Sequence, residues 1–380
     1  MSQSPDVGRL CDLLARLVAI DTQNPPGREL EAAELLTGEL AAAGLASETR
    51  ALGPGRANAV ARFSNCAGPT LVLNSHIDTV PIGSGWTMDP FRLTERNGRL
   101  YGRGACDAKG SIAAMTEAAR LLIADASSWR GTLLLAFVSD EEIDGTGSKA
   151  LVANGPPIDA VVIGEPTDNR VMAAHKGCLR PLIRVTGKTA HSSRPELGIN
   201  AILGAGRLLD RLTRYDRDLR ARSHPLVGEA TLTVTRIQGG IADNVVPDEC
   251  ELVVDRRLLP GEEADAALAE LRHVVRNEPD ISADIIKVRT VSGSAETALD
   301  SPIVRHGLAA ASAHGVAARQ AEGFTGGCDL VHFRAASADG IILGPGSLAM
   351  AHQPDEYVPR AELAQAALIY RDLALKLLRA

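Results

Sequence analysis

The sequence predicts an α/β protein of two domains, in which a mixed sheet covered by helices is interrupted by a smaller α+β domain. A chain of 380 residues is long for one hydrophobic core, which favours two domains. In the first part of the chain, buried aliphatic runs alternate with helical segments, which indicates a sheet covered on both faces and at least partly parallel. After Cys178 the predicted order becomes β-α-β-β-α-β, which is typical of a ferredoxin-like domain.

The elements of the larger domain follow from the spacing of apolar residues. Helical spacing predicts helices at 7–20, 30–43, 111–125 and 361–379. Short aliphatic runs predict strands at 70–74, 132–138, 160–164 and 341–344. We expect this domain to comprise residues 1–177 and 295–380.

The smaller domain begins and ends inside the chain, so we interpret it as an insertion. Its predicted strands are 179–187, 230–240, 249–258 and 281–288. Its predicted helices are 199–212 and 262–275. We expect it to span residues 178–294.

Composition excludes several classes of partner. The formal net charge is −7 without a local basic patch, which argues against nucleic acid. No apolar run approaches the roughly 18 residues of a membrane span, and the first residues lack the apolar core of a signal peptide. The six cysteines form no CxxC pair, so we interpret them as reduced thiols. We therefore expect a soluble cytoplasmic protein without a nucleic-acid or membrane partner.

Acidic and histidine side chains follow four of the predicted strands. They are His76 and Asp78 after the first, Asp140, Glu141 and Glu142 after the second, Glu165 after the third, and His352 a few residues beyond the fourth. In open α/β sheets, ligand sites lie in the crevice at the carboxyl ends of the strands, so these side chains are expected to converge. Asp107, in the glycine-rich segment 101–110, can join them.

Such a cluster favours a metal site. Several carboxylates in one cleft repel one another, and a pair of dications removes that cost. Mixed His, Asp and Glu ligands suit zinc, with cobalt or manganese as substitutes. His76 and Asp78 face the same side of an extended segment, so the Asp78 carboxylate is expected to accept the second ring N–H of His76. Adjacent Glu141 and Glu142 suggest that one binds metal while the other transfers protons.

Other polar residues receive an ordinary structural interpretation. Isolated histidines after strands or on helices are usually structural, and here they are His224, His273, His306, His314 and His332. Asp140 is interpreted as a turn residue. Arg103 and Lys109 are interpreted as surface charges.

The motifs that carry these residues resemble the acetylornithine deacetylase / succinyl-diaminopimelate desuccinylase family of metallopeptidases. In the larger domain they are SHIDTVP (75–81), YGRGACDAKG (101–110), SDEEIDGTGS (139–148), GEPT (164–167), AHKG (174–177) and LGPGSLAMAHQPDEY (343–357). In the insertion they are GKTAHSSRPELGINAI (187–202), GGIADNVVP (239–247) and DRRLLPG (255–261). The resemblance covers nearly the whole chain. It implies a zinc-peptidase-like catalytic domain with an inserted lid domain, through which two subunits pair as a homodimer.

The resemblance also implies a role for each site residue. One zinc ion would be bound by His76, Asp107 and Glu165, and the other by Asp107, Glu142 and His352, with Asp107 bridging. Glu141 would be the general base, and Asp78 would orient His76. His191 would be the lid histidine that stabilises the oxyanion, commonly across the dimer. Asn244 and Arg257 would contact the substrate, Arg257 through the substrate carboxylate.

The same resemblance implies a substrate class. AHQPDEY and AHKG look most like acetylornithine deacetylases, so the leading hypothesis is hydrolysis of N-acetylornithine to ornithine and acetate in arginine biosynthesis. The segment GFTGGCDLVHF (323–333), with Gly326 and Gly327, is nearer to desuccinylases and is expected to line the acyl or side-chain pocket. Alternatives are therefore succinyl-diaminopimelate desuccinylation, or dipeptidase or carboxypeptidase activity. A non-catalytic metal-binding relic of the same fold is the alternative of another class.

Overall fold

A computed structural model describes residues 4–276, 282–317 and 319–378. The chain divides into two compact units. The first comprises Met1–Ala174, Glu296–Phe324 and Cys328–Ala380, and the second comprises His175–Ala295 and Thr325–Gly327. The second unit thus includes seven residues that the sequence analysis assigned to the larger domain, namely His175–Gly177, Ala295 and Thr325–Gly327. Two residues of predicted elements lie outside the described residues. They are Ile281, the first residue of the strand predicted at 281–288, and Arg379, the last residue of the helix predicted at 361–379.

Residues 4–175 form four α-helices and eight strands. They are α1 (Val7–Ala19), α2 (Leu30–Ala42), β1 (Ala46–Gly53), β2 (Arg56–Asn65), β3 (Thr70–His76), β4 (Thr94–Arg96), β5 (Arg99–Tyr101), α3 (Lys109–Ala124), β6 (Gly131–Val138), α4 (Thr146–Asn154), β7 (Ala160–Ile163) and β8 (Met172–His175). The helix α1 begins where the Asp6 side chain accepts the N–H of Arg9, and it buries Leu10, Leu14 and Leu17 on one face.

The next segment forms the second unit. Its elements are β9 (Gly177–Thr186), β10 (Ala190–His191), α5 (Ala201–Leu219), β11 (Ser223–His224), β12 (Gly228–Glu229), β13 (Thr231–Gly239), β14 (Val245–Val246), β15 (Glu249–Leu258), α6 (Ala264–Arg276) and β16 (Ser282–Ser292). The four long strands form an antiparallel sheet in the order β13-β15-β9-β16. Both helices pack against strands of this sheet. This is the topology of a ferredoxin-like fold, as predicted.

The chain then returns to the first unit. The remaining elements are β17 (Ala295–Glu296), α7 (Pro302–Ala313), β18 (Glu322–Phe324), α8 (Leu330–Ala335), β19 (Asp339–Ile342), β20 (Tyr357–Pro359) and α9 (Arg360–Leu377). The strands β20, β5 and β4 form a small antiparallel sheet, in which Tyr357 lies opposite Tyr101. Within the described residues, no helix is both long enough and apolar enough to cross a membrane.

The large sheet of the first unit has the order β1-β2-β6-β3-β7-β19-β8-β17, with β18 beside β8. Its four central strands, β6, β3, β7 and β19, run parallel, whereas β1, β2 and β8 pair antiparallel. All eight residues of β6 are buried, which is why its sequence is a continuous aliphatic run. The predicted mixed α/β sheet is therefore confirmed, and the carboxyl ends of four adjacent strands lie at one edge.

Candidate metal centre

Four predicted metal ligands lie at or after the carboxyl ends of the parallel strands of the first unit. His76 is the last residue of β3, while Glu142, Glu165 and His352 follow β6, β7 and β19. Asp107 precedes α3. The structure brings them together: ligand atoms of His76, Asp107 and Glu142 all lie within 4.8 Å of one another.

Asp107 lies between the two histidines. Its Oδ1 is 3.1 Å from Nε2 of His76, and its Oδ2 is 3.3 Å from Nε2 of His352. Each histidine also has a second carboxylate, since Glu165 Oε1 lies 3.8 Å from His76 and Glu142 Oε1 lies 3.1 Å from His352. Two ligands of one tetrahedral zinc ion, each at about 2.0–2.1 Å, lie about 3.3–3.4 Å apart. The spacing of these donor atoms is therefore that of ligands around a bound divalent metal ion.

The hydrogen bonds of His76 support this assignment. Its Nδ1 lies 2.9 Å from the backbone carbonyl of Asp78, which can only accept, so Nδ1 must carry a proton. The lone pair of Nε2 then faces two carboxylates, an arrangement that requires a proton or a metal ion between them. The Asp78 carboxylate lies farther from the ring, at 3.7 Å, so the nearest acceptor is the carbonyl rather than the carboxylate expected from the sequence.

The charge of the cluster also calls for a cation. Burial raises the pKa of Glu141, Glu142 and Glu165, and repulsion between neighbouring carboxylates adds to the effect. Among the described residues, Glu165 Oε1 is buried without a hydrogen-bond partner. Hydrogen bonds to Asp107 and Glu142 raise the pKa of His352 to about 10. The cluster therefore retains protons at positions where bound dications would replace them.

Asp78 positions the two adjacent glutamates. Its fully buried carboxylate accepts the backbone N–H of Glu141 at 3.1 Å and that of Glu142 at 3.2 Å. Asn24 donates its side-chain amide to the same carboxylate at 2.9 Å. Asp78 thus holds the turn that presents the candidate base and one candidate ligand.

Asp140 anchors this turn from its other side. Its backbone is left-handed, with φ of 72°, which suits the interpretation as a turn residue. Its carboxylate accepts hydrogen bonds from Asn24, Arg56 and Thr146. Asp140 is therefore a structural residue beside the site.

The interpretation of Arg103 and Lys109 as surface charges is wrong. Both are almost completely buried, with 2% and 1% of their surface exposed. Lys109 donates to the carbonyl oxygens of Leu17 and Ile20 at the end of α1, and Arg103 donates to the carboxylate of Glu356. They are buried because these acceptors satisfy their charged groups.

The sequence analysis also missed three buried acids near the cluster, Glu29, Asp329 and Glu356. Burial raises the pKa of Glu29 and of Glu356 to about 7 and that of Asp329 to about 6. Glu356 and Asp329 lie inside motifs that the sequence did single out, 343–357 and 323–333. Their position in those motifs was the available signal.

His191 and Asn244 lie side by side in the second unit. His191 pairs with Val245 across β10 and β14, and the N–H of Ser192 donates to the carbonyl of Asn244 at 3.0 Å. The N–H of Ser193 donates to Nδ1 of His191, so in the neutral ring Nε2 carries the proton. The exposed His191 side chain can therefore donate a hydrogen bond from Nε2.

The other predicted substrate contacts also belong to the second unit. Arg257 lies on β15, where its Nε is 2.8 Å from Oδ1 of Asp255. Gly326 and Gly327 are partly exposed, and a Cβ added at Gly327 would find the carbonyl of Lys176 as its nearest neighbour at 3.5 Å. The structure thus gathers the ligand candidates, Glu141 and Asp78 in the first unit, and carries the substrate-contact candidates on the second.

Comparison with known proteins extends this picture. The model of peptidase family M20/M25/M40 matches residues 72–376. An acetylornithine deacetylase of Myxococcus xanthus is 38% identical over 305 residues, which cover 78% of this chain and 77% of that protein. These matches agree with the motifs described above.

Solved structures show the same fold. Aminopeptidase PepT of Bacillus cereus ATCC 10987 superposes with a TM-score of 0.78 at 22% identity, covering 98% of this chain and 99% of that chain. The YXEP protein of Bacillus subtilis, described as a dinuclear metal binding peptidase, gives a TM-score of 0.73 at 20% identity and covers 98% of both chains. The expected fold, a mixed α/β domain with an inserted ferredoxin-like domain, is thus confirmed. Because the family model matches most of the sequence and a relative above 30% identity is covered over most of its length, the chain belongs to peptidase family M20/M25/M40.

Proposed function

We propose that this chain is a dinuclear zinc amidohydrolase that removes an N-acyl group from a small amino acid. The first candidate substrate is N-acetylornithine, which would give ornithine and acetate in arginine biosynthesis. The observation that carries the proposal is the position of Asp107, whose two oxygens face two different histidines, each accompanied by a second carboxylate. The similarity to an acetylornithine deacetylase supports the choice of substrate.

The ligand set follows from the same contacts. His76, Asp107 and Glu165 would hold one zinc ion, and Asp107, Glu142 and His352 the other. Cobalt or manganese would suit the same nitrogen and oxygen donors. When bound, such ions lower the pKa of water and polarise the amide carbonyl.

Glu141 is the proposed general base. Its carboxylate would accept the proton of the attacking water and return it to the leaving nitrogen. Asp78 supports this role because it accepts the Glu141 N–H and thereby fixes the backbone of the base. Asp78 would also keep His76 in place through its own backbone carbonyl.

Residues of the second unit would orient the substrate. His191 would donate its Nε2 proton to the oxyanion, which is possible because Nδ1 already accepts from Ser193. Arg257 uses its Nε edge on Asp255, so the substrate carboxylate would contact the other edge of the guanidinium. Asn244, Gly326 and Gly327 complete the proposed substrate contacts.

The second candidate function is removal of a succinyl group or cleavage of a dipeptide at the same site. The observation that favours it is the absence of a side chain at Gly326 and Gly327. A Cβ added at Gly327 would make only an ordinary van der Waals contact, 3.5 Å from the carbonyl oxygen of Lys176, so the glycine leaves the space of one small group unfilled. The reaction would be the same, and only the bound group would differ.

We also propose a homodimer formed through the second unit. Its edge strand β13 and the neighbouring segments expose large apolar side chains, including Ile237 at 49%, Leu203 at 64% and Ile241 at 83%. An unpaired strand edge beside apolar surface favours pairing with a second copy. Sedimentation of Ile241→Asp should give a monomer where the wild type gives a dimer, and a monomeric wild type would refute this proposal.

The proposed location is the cytoplasm. The six free cysteines suit its reducing conditions.

The proposal is tested by assaying the purified protein against acetylornithine, succinyl-diaminopimelate and a dipeptide panel. Glu141→Gln should lower kcat by about 100-fold or more while keeping near two zinc ions per chain, because the amide cannot accept the proton. Asp144→Asn, an exposed acid in the same turn, is the matched control and should be fully active. Full activity of Glu141→Gln would refute the assignment, and zinc binding without turnover of any substrate would indicate a non-catalytic relic.

A further inference from the structure

A fully buried carboxylate accepts a hydrogen bond from the backbone of a candidate metal ligand. Glu356 is 0% exposed and follows His352 by four residues. Its Oε1 accepts the backbone N–H of Cys106 at 2.9 Å and that of Asp107 at 3.0 Å. Its Oε2 accepts Nη1 of Arg103 at 2.5 Å. Both oxygens are therefore engaged by the chain itself, which distinguishes Glu356 from the candidate ligands.

These contacts fix the backbone of the bridging residue. The N–H that Glu356 accepts belongs to Asp107, whose two oxygens each face a different histidine. The backbone carbonyl of Glu356 also accepts the N–H of Gly102 at 3.0 Å, at the start of the same loop. A shift of Glu356 would therefore move Asp107 with respect to both histidines.

The segment that carries Glu356 is itself held in place. The neighbouring Asp355 accepts the N–H and the hydroxyl of Thr87 at 2.9 and 2.7 Å. Arg103 is buried with Glu356, and its guanidinium lies 5.2 Å from the ring centroid of Trp86. Burying a carboxylate costs free energy unless its lone pairs are satisfied, and two backbone donors and one guanidinium satisfy those of Glu356.

We propose that Glu356 is a positioning residue of the dinuclear site, which sets the place of Asp107 and is itself held by Arg103. This inference rests on the proposed metal-dependent function. Because Asp107 is shared, Glu356 affects the binding of both ions rather than one. A residue that only stabilised the fold would lower the unfolding temperature without changing the coordination of bound metal.

The first test is titration of the metal-free full-length protein with zinc against a chelating indicator. Glu356→Gln should bind both zinc ions about 10–100-fold more weakly than the wild type, the usual effect of removing a residue that supports metal ligands. The control is Glu362→Gln on α9. Glu362 accepts the backbone N–H of Gly346 at 2.7 Å rather than that of a candidate ligand, so this variant should keep wild-type zinc affinity.

A second variant separates positioning from loss of charge. In Glu356→Gln, the amide oxygen can keep the two backbone donors only if its NH2 group faces the guanidinium of Arg103, which places donor against donor. Adding Arg103→Met removes that conflict, so the double variant should regain at least part of the lost zinc affinity. If Glu356→Gln alone is too unstable to purify, the zinc affinity of the double variant is compared directly with that of the wild type.

Cobalt supplies a readout of geometry. The visible absorption of the Co²⁺-loaded protein should change in Glu356→Gln, return toward the wild type in the double variant, and stay unchanged in Glu362→Gln. Equal zinc affinity and equal Co²⁺ spectra in the wild type and Glu356→Gln would overturn the inference while leaving the proposed function intact. A wild type that binds no zinc would instead overturn the proposed function and this inference together.

Discussion

Replacement of Glu29 by Gln should stabilise the first unit above neutral pH. Glu29 precedes α2 and is 0% exposed, and among the described residues neither of its carboxylate oxygens has a hydrogen-bond partner. Burial raises its pKa from the ordinary 4.5 to about 7, and the charges of Asp78 and Asp140 add to this, while Arg56 opposes it. An isosteric amide at this position carries no charge at any pH.

The sign and size follow from proton linkage. Between pH 4.5 and 7 the folded chain keeps a proton on Glu29 that the unfolded chain has released, so the stability from this group is present below pH 4.5 and is lost as pH rises to 7. Over this window the loss amounts to about 3 kcal/mol. The Gln variant does not suffer it, so its free energy of unfolding relative to the wild type should rise by about 2–3 kcal/mol between pH 5 and pH 8.

Urea unfolding at the two pH values provides the assay. Both tryptophans, Trp86 and Trp129, lie in the first unit, so their fluorescence reports the unit that contains Glu29. Glu31→Gln, at an exposed position in the first turn of α2, is the matched control and should differ from the wild type equally at both pH values. The reasoning fails if Glu29→Gln shows the same difference from the wild type at pH 5 and pH 8.

Three further predictions concern packing and metal. In Gly344→Ala the new Cβ would lie 2.4 Å from Oγ of Ser111 and 2.6 Å from the carbonyl oxygen of Glu165, so the surrounding chain must shift. We expect the free energy of unfolding, measured in urea, to fall by about 1–3 kcal/mol because of this overpacking, and one zinc ion to bind more weakly. Unchanged metal content would contradict the prediction. Asn58→Ala removes a buried amide that donates to the carbonyl of Gly147, so the free energy of unfolding should fall by about 2–3 kcal/mol. An unchanged free energy of unfolding would contradict this prediction and would mean that water replaces the amide. Removing metal with a chelator should lower the midpoint of urea unfolding. Zinc at 100 times its Kd should then raise the free energy of unfolding by about 2.7 kcal/mol. A midpoint that does not change with zinc would contradict the metal site.

Most of the fold could be predicted because its central strands are continuous aliphatic runs. The residues of β6 are buried throughout, and such a run has few alternatives to a central strand. The hairpin of β1 and β2 was not predicted. The residues of β1 are all exposed or half-exposed, and its sequence ASETRALG is too polar to indicate a strand without the neighbouring β2.

Four of the five candidate ligands could be predicted because they lie at or after the ends of parallel strands, whose carboxyl ends meet at one edge of the sheet. Asp107, which precedes α3, was added from its glycine-rich segment. The buried charged residues near these ligands could not be predicted. Charged residues are rarely fully buried, so Arg103 and Lys109 were assigned to the surface. The partner of Arg103 is Glu356, which is 253 positions away along the chain, and nothing in either segment alone indicates that they meet.

The strand order of the large sheet has a consequence for the order of folding during synthesis. The strand β19 lies between β7 and β8, yet the ribosome makes it after the whole ferredoxin-like sheet from β9 to β16. Since domains fold as units while the chain emerges, the second unit can complete its sheet while the first still lacks an interior strand. His352 follows β19, so Asp107 acquires its second histidine only at that late stage. We therefore expect that the proposed metal ions would be bound after translation, by a protein whose inserted unit is already folded.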